Sequence, residues 1–308
     1  MKGVIGIDTS NYTTSIAFFD GTGGENCSKL LPVKQGELGL RQSDAVFAHI
    51  KGLPELSGRL FSHIQTANIT AVGVSTRPRA VEGSYMPCFL VGYSHGKLLS
   101  DMLGVPLVEV SHQQGHVAAS LWSAGHMELL SHPHLAWHLS GGTTELLLVK
   151  PEGANVACTK IGGTSDISAG QLIDRAGQLL KLPFPSGKHL DALSCEAAKK
   201  DFFKVKCTDM TFSLSGVQNK VQQYHAQNSI PAETAAYALR CVAYAVFQAT
   251  QQALTRYPGL PVVFSGGVAS NSMLRQVLAP LNPIFAQPQY STDNAMGVAV
   301  LTYRSVGV

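Results

Sequence analysis

Ser140-Gly141-Gly142-Thr143-Thr144 interrupts an otherwise apolar stretch at residues 135–150, so the chain there reads strand, tight turn, strand. The same pattern occurs twice more. Residues 1–20 carry Gly6-Ile7-Asp8-Thr9-Ser10 as a turn between two strands, and Phe264-Ser265-Gly266-Gly267-Val268-Ala269-Ser270-Asn271 closes a strand just ahead of a helix. Turns of this composition present backbone N–H groups to an oxyanion: glycine permits close approach, successive N–H groups form a concavity, and a following helix adds its positive end. A single such turn is only a tight turn. Three of them after apolar strands, with an internal duplication, point to a phosphate-bearing ligand, and two facing hairpins would hold it between two lobes.

Outward from these turns, each half of the chain repeats a β-hairpin followed by alternating helices and strands. The first half predicts a hairpin at 4–19 turning through 20–24, helices at 44–65 and 87–103, and strands at 71–76 and 107–110. The second predicts a hairpin at 134–150, a strand at 156–161 and a helix at 168–180. A long helix at 231–257 follows, with Pro231 in its first turn and Pro258-Gly259 as its stop. Then come a strand at 262–264, a helix from 271, a strand at 283–285 and a closing helix from 293. This order predicts an α/β fold with a mixed sheet flanked by helices in each lobe, and ligand at the carboxyl ends of the strands. The lobes are expected at 1–130 and 131–308, with an insertion at about 183–228 and helix 293–308 packing back on the first lobe.

Composition narrows the setting. The 308 residues suffice for two domains, each burying its own core. Charged residues are 14%, against about 25% in ordinary soluble domains. That reads either as a large α/β core or as a surface partly covered by a partner subunit. A net charge of +3 does not single out nucleic acid. No apolar run reaches the ~18 residues of a membrane span, and residues 1–5 enter a strand directly, so a cytoplasmic location without a leader is expected. The six cysteines are scattered without a C-x-x-C pair, as buried thiols of a reducing compartment are.

Chemistry gathers in three places. In Ser111-His112-Gln113-Gln114-Gly115-His116, a helix beginning after the strand would put His112 and His116 on one face, spaced to share a metal or merely to hydrogen-bond. The chain offers a carboxylate at a helix N-terminus in Asp293, and two histidines with one carboxylate are a common iron or zinc set. In Gly162–Asp174, Ser168 can cap a helix; Asp174 is either an acceptor for a ribose diol or an ordinary exposed acid. The segment 197–206 mixes lysines with Phe202 and Phe203. It reads as a grip on RNA phosphates and bases, or as a solvated helix face over apolar surface.

Taken with Phe184-Pro185-Ser186-Gly187, Phe212-Ser213-Leu214-Ser215-Gly216, Ser265 to Arg275 and Thr292-Asp293-Asn294-Ala295-Met296, these segments resemble the tRNA threonylcarbamoyladenosine transferase family, once called O-sialoglycoprotein endopeptidases. The resemblance spans nearly the whole chain. It implies the two-lobed actin/Hsp70/sugar-kinase fold, one divalent metal (Fe2+ or Zn2+) on His112, His116 and Asp293, and an adenine nucleotide or adenylate on Leu139, Ser140, Gly141, Gly142, Thr143, Asp174, Gly187 and Asn271. It further implies tRNA as substrate, sister subunits of a threonylcarbamoylation complex, and leaves a dimer open. Where the family has Cys-Asp-Glu this chain has Asn11-Tyr12-Thr13; where it has Glu between the metal histidines stands Gln114; where it has His after Ser-Gly-Gly stands Thr143. Around Arg77-Pro78-Arg79 a Pro-Gly-Leu turn is also replaced. The chain therefore reads as a divergent paralogue: a threonylcarbamoyl transferase, or alternatively a nucleotide-binding scaffold or regulatory subunit, with metalloprotease activity a weaker third.

Overall fold

The computed structural model describes residues 2–10, 12–32, 40–292 and 294–307. The chain divides into two compact units, one of Met1–His132, Lys150–Cys158 and Asp293–Val308, the other of Pro133–Val149 and Thr159–Thr292.

In the first unit an antiparallel meander, β1 (Gly3–Thr9), β2 (Thr13–Phe19) and β3 (Gly24–Leu30), leads through α1 (Gln42–Phe61), β4 (Ile69–Arg77), α2 (Phe89–Leu103) and β5 (Leu107–Ser111) to α3 (His112–Ser123). The sheet order is β3-β2-β1-β4-β5, with β4 parallel to both β1 and β5. β1 is buried along its whole length, as a strand covered on both faces must be. One cover is α1 and α2, whose Leu53, Leu56, Leu60 and Val91 close over Ile5, Ile7 and Val74. The other is the final helix of the chain, 296–306, which packs on β1, β4 and α3. It comes so close that a Cβ on Gly6 would stand 2.6 Å from both Ala295 O and Ala299 N, and one on Gly297 would overlap the carbonyl oxygen of Gly115.

In the second unit β6 (His134–Leu139), β7 (Thr144–Glu152) and β8 (Asn155–Thr164), the last two apart from their joined ends at Lys150–Cys158, which belong to the first unit, precede α4 (Ala169–Leu179), α5 (Gly187–Ser194), β9 (Cys207–Thr208), β10 (Thr211–Phe212) and α6 (Ser215–Asn228). Then follow α7 (Pro231–Arg256), β11 (Val262–Ser265), α8 (Ser272–Leu278) and β12 (Ile284–Phe285); the closing helix of the chain, in the first unit, is α9 (Met296–Val306). The sheet order is β12-β11-β6-β7-β8-β10-β9. Its core is built on Trp137, Leu139, Leu146 and Phe264 against the apolar length of α7. Trp137 is wholly buried, and its indole N–H donates to Thr250 Oγ1 at 2.9 Å, so no polar group is stranded there.

Three expectations change. Gly6-Ile7-Asp8-Thr9 is not a turn: the strand continues to Thr9, paired with β2 along that length and with β4 through Ile7. Its glycine serves the approach of α9. The stretch 197–206 forms no helix, because Glu233 takes the backbone N–H groups of Ala198 and Lys199 and holds the chain irregular. The closing helix begins at Met296, and Asp293 lies outside the described residues.

The same substitution should have opposite signs at two helical glycines. Gly297→Ala pushes α9 off Gly115 and should cost about 2 kcal/mol or more. Gly58→Ala, where a Cβ meets nothing within 4 Å, should gain roughly 0.5–1 kcal/mol. Chemical denaturation of both variants measures this, and equal effects would contradict the packing described.

Candidate functional site

The first unit builds a histidine site on the capping of α3. Ser111 accepts the backbone N–H of Gln114 on its hydroxyl at 3.3 Å, while Gln114 Oε1 accepts Ser111 N–H at 2.8 Å. This reciprocal box fixes the helix start. His112 and His116 then lie one turn apart with their Nε2 atoms 2.9 Å from each other. His112 Nδ1 is 3.0 Å from Oδ1 of the fully buried Asp8, which also accepts the hydroxyl of Ser75. Cys88 lies within the field of Asp8: burial first, and that charge second, push its thiol up to about 11. On α1, buried His49 has Nδ1 2.8 Å from Thr14 Oγ1; burial lowers its pKa, against the opposing pull of Asp8.

These residues fit a metal. A histidine ligand characteristically donates its other ring N–H to a carboxylate, which sets the tautomer and raises the basicity of the ligating nitrogen; Asp8 stands in that relation to His112. Two imidazole nitrogens sharing an ion bound at about 2.0–2.1 Å each come within roughly 3–3.4 Å of one another, close to the separation seen here. Among the described residues no group of three or more His, Cys, Asp or Glu is arranged to hold an ion, and Asp293, the expected third ligand, lies outside them.

Of the substituted positions, Asn11 is outside the described residues, Tyr12 is partly exposed and Thr13 is buried in β2. Gln114 has a structural task. Its amide Nε2 donates to Val156 O at 2.7 Å while Oε1 serves the cap, and a glutamate carboxylate could not do the first.

The second unit builds a cradle. Leu139 ends β6, Ser140 N–H donates to Thr143 O at 2.8 Å, and Thr143 N–H to Ser140 Oγ at 3.0 Å. Gly141 and Gly142 lie exposed at the tip, and a Cβ on either would meet nothing within 4 Å. From beneath, Ser168 Oγ donates to Gly141 O at 2.5 Å and Ala169 N–H to Thr144 Oγ1 at 2.8 Å. A Cβ on Gly170 would be 2.5 Å from Gly141 Cα, so α4 presses directly on the turn. Gly266, at φ 90°, lies against the Leu139 backbone and brings the second glycine turn alongside.

The remaining expected residues complete a ring. Asn271 caps α8 by accepting Leu274 N–H at 2.9 Å, and the next residue, Ser272, donates N–H and hydroxyl to Asp191 of α5 at 2.9 and 2.7 Å. Gly187 opens α5, and Asp174 of α4 accepts the N–H of Ser186 at 2.8 Å. Burial raises the Asp174 carboxyl above its usual range, against that hydrogen bond. Leu139 to Thr143, Asp174, Gly187 and Asn271 are thus joined through short contacts. Sequence reasoning missed Asp191, whose only signal is its place one turn after Gly187. It also missed the work of Asp166. Burial alone would raise that carboxyl, yet the hydroxyls of Ser213 and Ser215 and the N–H groups of Leu214 and Ser215 hold it well below its ordinary range. Asp166 thereby caps α6 and accounts for Phe212-Ser213-Leu214-Ser215-Gly216.

Residues 38–300 match the family described as TsaD, tRNA N6-adenosine threonylcarbamoyltransferase. The curated protein of that name from Carboxydothermus hydrogenoformans is 29% identical over 319 residues, covering 98% of this chain and 92% of the relative. That from Thermosipho africanus is 30% identical over 98% and 93%. Among solved structures, (R)-2-hydroxyglutaryl-CoA dehydratase component A of Acidaminococcus fermentans aligns at TM-score 0.59 and 15% identity over 100% of both chains. A ROK family glucokinase from Streptomyces griseus in complex with glucose and AMPPNP gives 0.55 and 11%, over 98% of this chain and 99% of that one. At such identities the likeness is one of fold, the α/β actin/Hsp70/sugar-kinase architecture.

Two outcomes follow from this geometry. Gln114→Glu, although it installs the residue the resemblance assigns to the family, should destabilise by about 1–3 kcal/mol by setting a carboxylate against the Val156 carbonyl; a thermal melt with no loss would exclude the structural role. Asp166 titrates lower when folded than its ordinary 3.8, so its stabilisation is fully present above that range and is lost as pH falls below it. Urea unfolding between pH 7 and 2 should therefore fall more steeply for the wild type than for Asp166→Asn.

Proposed function

Because the chain belongs to the tRNA N6-adenosine threonylcarbamoyltransferase family, we propose that it transfers a threonylcarbamoyl group from threonylcarbamoyl-adenylate to the exocyclic amine of an adenosine in tRNA. The observation that carries this reading is the turn at Gly141 and Gly142, which lies exposed with open space beside both glycines and is pinned from below by α4. A phosphate belongs in such a place. On this reading Asp174 of α4 accepts from a ribose diol, with Gly187 and Asn271 on the adjoining helices.

In the reaction the amine nitrogen bonds to the carbamoyl carbon, the bond from that carbon to the phosphate oxygen breaks, AMP leaves with the electron pair, and the amine loses a proton. An adenine amine is a weak nucleophile, so the rate depends on stabilising the departing phosphate. The turn serves that end: the bonds between Ser140 and Thr143 set it in advance, so that the N–H groups of Gly141 and Gly142 would need no reorganisation as charge develops. His112 and His116, with Asp293, would hold a divalent iron or zinc ion, which supplies Lewis-acid stabilisation of an oxygen anion when bound. Asp8 keeps the His112 ring oriented for that task. Sister subunits and a cytoplasmic setting accompany this reading. The alternative of a non-catalytic nucleotide-binding scaffold is favoured by Tyr12 and Thr143, which offer no acid or imidazole where the resemblance expects one. Gln114 no longer supports it, since its amide is committed to Ser111 and Val156.

Metal analysis of the purified chain should show about one ion, lost in the His112→Ala/His116→Ala variant. A saturating adenine nucleotide at 100 times its dissociation constant should add about 2.7 kcal/mol of stability. Gly142→Val should abolish that gain while leaving the unliganded melt nearly unchanged. Threonylcarbamoyl incorporation into tRNA, measured with sister subunits, decides between enzyme and scaffold: nucleotide binding without turnover would establish the scaffold.

A further inference from the structure

Residues 199–206 carry Lys199, Lys200, Lys204 and Lys206, all exposed, on a stretch with no helix or strand before Cys207. An exposed lysine-rich stretch without backbone pairing is ordinarily loose. This one is fastened at almost every step. Glu233 accepts the N–H of Lys199 at 3.1 Å, and the Arg240 guanidinium donates to the Lys199 carbonyl. Phe202 stacks on Tyr244 with ring centroids 4.1 Å apart and planes inclined by 6°. Phe203 N–H donates to Cys241 Sγ at 3.2 Å, and Val205 is buried. The anchors come from α7, a buried helix, so the lysines are displayed on a rigid support.

Phe203 is different from Phe202. Its ring is turned outward, 39% exposed, with Lys220 Nζ 5.6 Å above its centroid. Lys220 belongs to α6, whose sequence from Ser215 to Asn228 contains no acidic residue and whose exposed positions are Asn219, Lys220, Gln222, Gln223 and Gln227 besides small residues. Lys199 Nζ reaches the same helix, donating to Asn228 Oδ1 at 2.8 Å. The one carboxylate of the segment, Asp201, is engaged by the Tyr224 hydroxyl at 3.3 Å. Cations in excess, an outward ring beside a cation, and an amide-rich helix face without acids form one continuous surface. Phosphates attract the cations, and an unpaired base can stack on the ring and meet the amides.

We infer that the surface formed by Lys199–Lys206, Phe203 and the exposed face of α6 binds RNA, with the lysines on backbone phosphates and Phe203 under an unstacked base. The inference rests on the transferase reading only in taking tRNA as that RNA. It assigns a place for the acceptor that is separate from the Ser140 to Thr143 turn, which holds the other substrate.

The 308-residue chain, assembled with the sister subunits of the transferase reading, tests this with unmodified tRNA as probe. The variant Lys200→Ala/Lys204→Ala/Lys206→Ala should weaken tRNA binding about tenfold or more at 0.15 M salt. It should also lower the slope of log affinity against log salt by roughly 2–3, near one for each phosphate that a lysine no longer neutralises. Phe203→Ala should cost about tenfold with the salt slope unchanged, and Phe203→Tyr should restore binding. Stabilisation by adenine nucleotide should be the same in all variants, which shows that they are folded. A control with three lysines of the first unit removed, Lys29→Ala/Lys51→Ala/Lys97→Ala, should bind tRNA nearly as the wild type does. Equal weakening by that control, or wild-type binding by the test variants, overturns the surface while leaving the transferase intact if turnover persists. Loss of sister-subunit binding with tRNA binding unchanged overturns it in favour of a protein-docking face. If the wild type binds tRNA through this surface yet transfers nothing, the surface stands and the transferase reading falls.

Discussion

A helix can rest directly on another backbone only where neither presents a β-carbon at the crossing, and both units depend on that constraint. In the first, Gly6, Gly73 and Gly297 let α9 settle onto the sheet and onto α3 at Gly115, one residue before His116. Any side chain there would lift α9 and free α3 to shift, drawing His112 away from Asp8. In the second unit Gly170 does the same for the Ser140 turn, and Gly266 for the strand end at Leu139. The polar geometry in each unit is thus a consequence of steric absence underneath it. Packing at this closeness leaves interiors unable to absorb even one methyl group.

Three carboxylates illustrate how differently the fold treats the same group. Asp8 is entirely buried and is met by a hydroxyl and an imidazole, so its charge is directed at His112. Asp166 faces solvent more openly but collects donors from a whole helix start, which hold its carboxyl well below the ordinary range. Asp174 has burial and a single backbone donor, leaving capacity for a further partner. Removing a charge from water is costly unless hydrogen bonds replace the lost hydration. How completely they do so separates an orienting group, a structural clasp and an acceptor held in readiness.

Much of the architecture was legible because it is written locally. The long apolar course of α7, its proline entry and its Pro258-Gly259 exit need no knowledge of neighbours, and neither do the β6–β7 hairpin and its turn. The glycine at position 6 was misread because a strand glycine that admits a helix looks, in sequence, like one that makes a turn; the helix responsible lies almost 300 residues further on. Gln114 resembled a lost acid because sequence names the residue and not the carbonyl it faces. Asp191 and Asp166 were invisible for a related reason: their partners are 81 and 47–49 residues away. The irregular course of 197–206 likewise depends on Glu233, Arg240 and Cys241, which no local pattern reveals.

The first unit is interrupted: its sheet and α3 are complete by His132, but α9 follows the whole of the second unit. During synthesis at about 5–20 residues per second, the nascent chain must wait on the order of ten seconds between emergence of α3 and emergence of α9. Throughout that interval β1 and β4 have one uncovered apolar face, and Gly115 has no helix against it. The second unit, by contrast, lies wholly ahead of α9 in the chain. Vectorial assembly therefore makes the histidine site a late product of biogenesis. A nascent or truncated polypeptide lacking α9 would expose an apolar sheet to chaperones and proteases before the histidine site had formed.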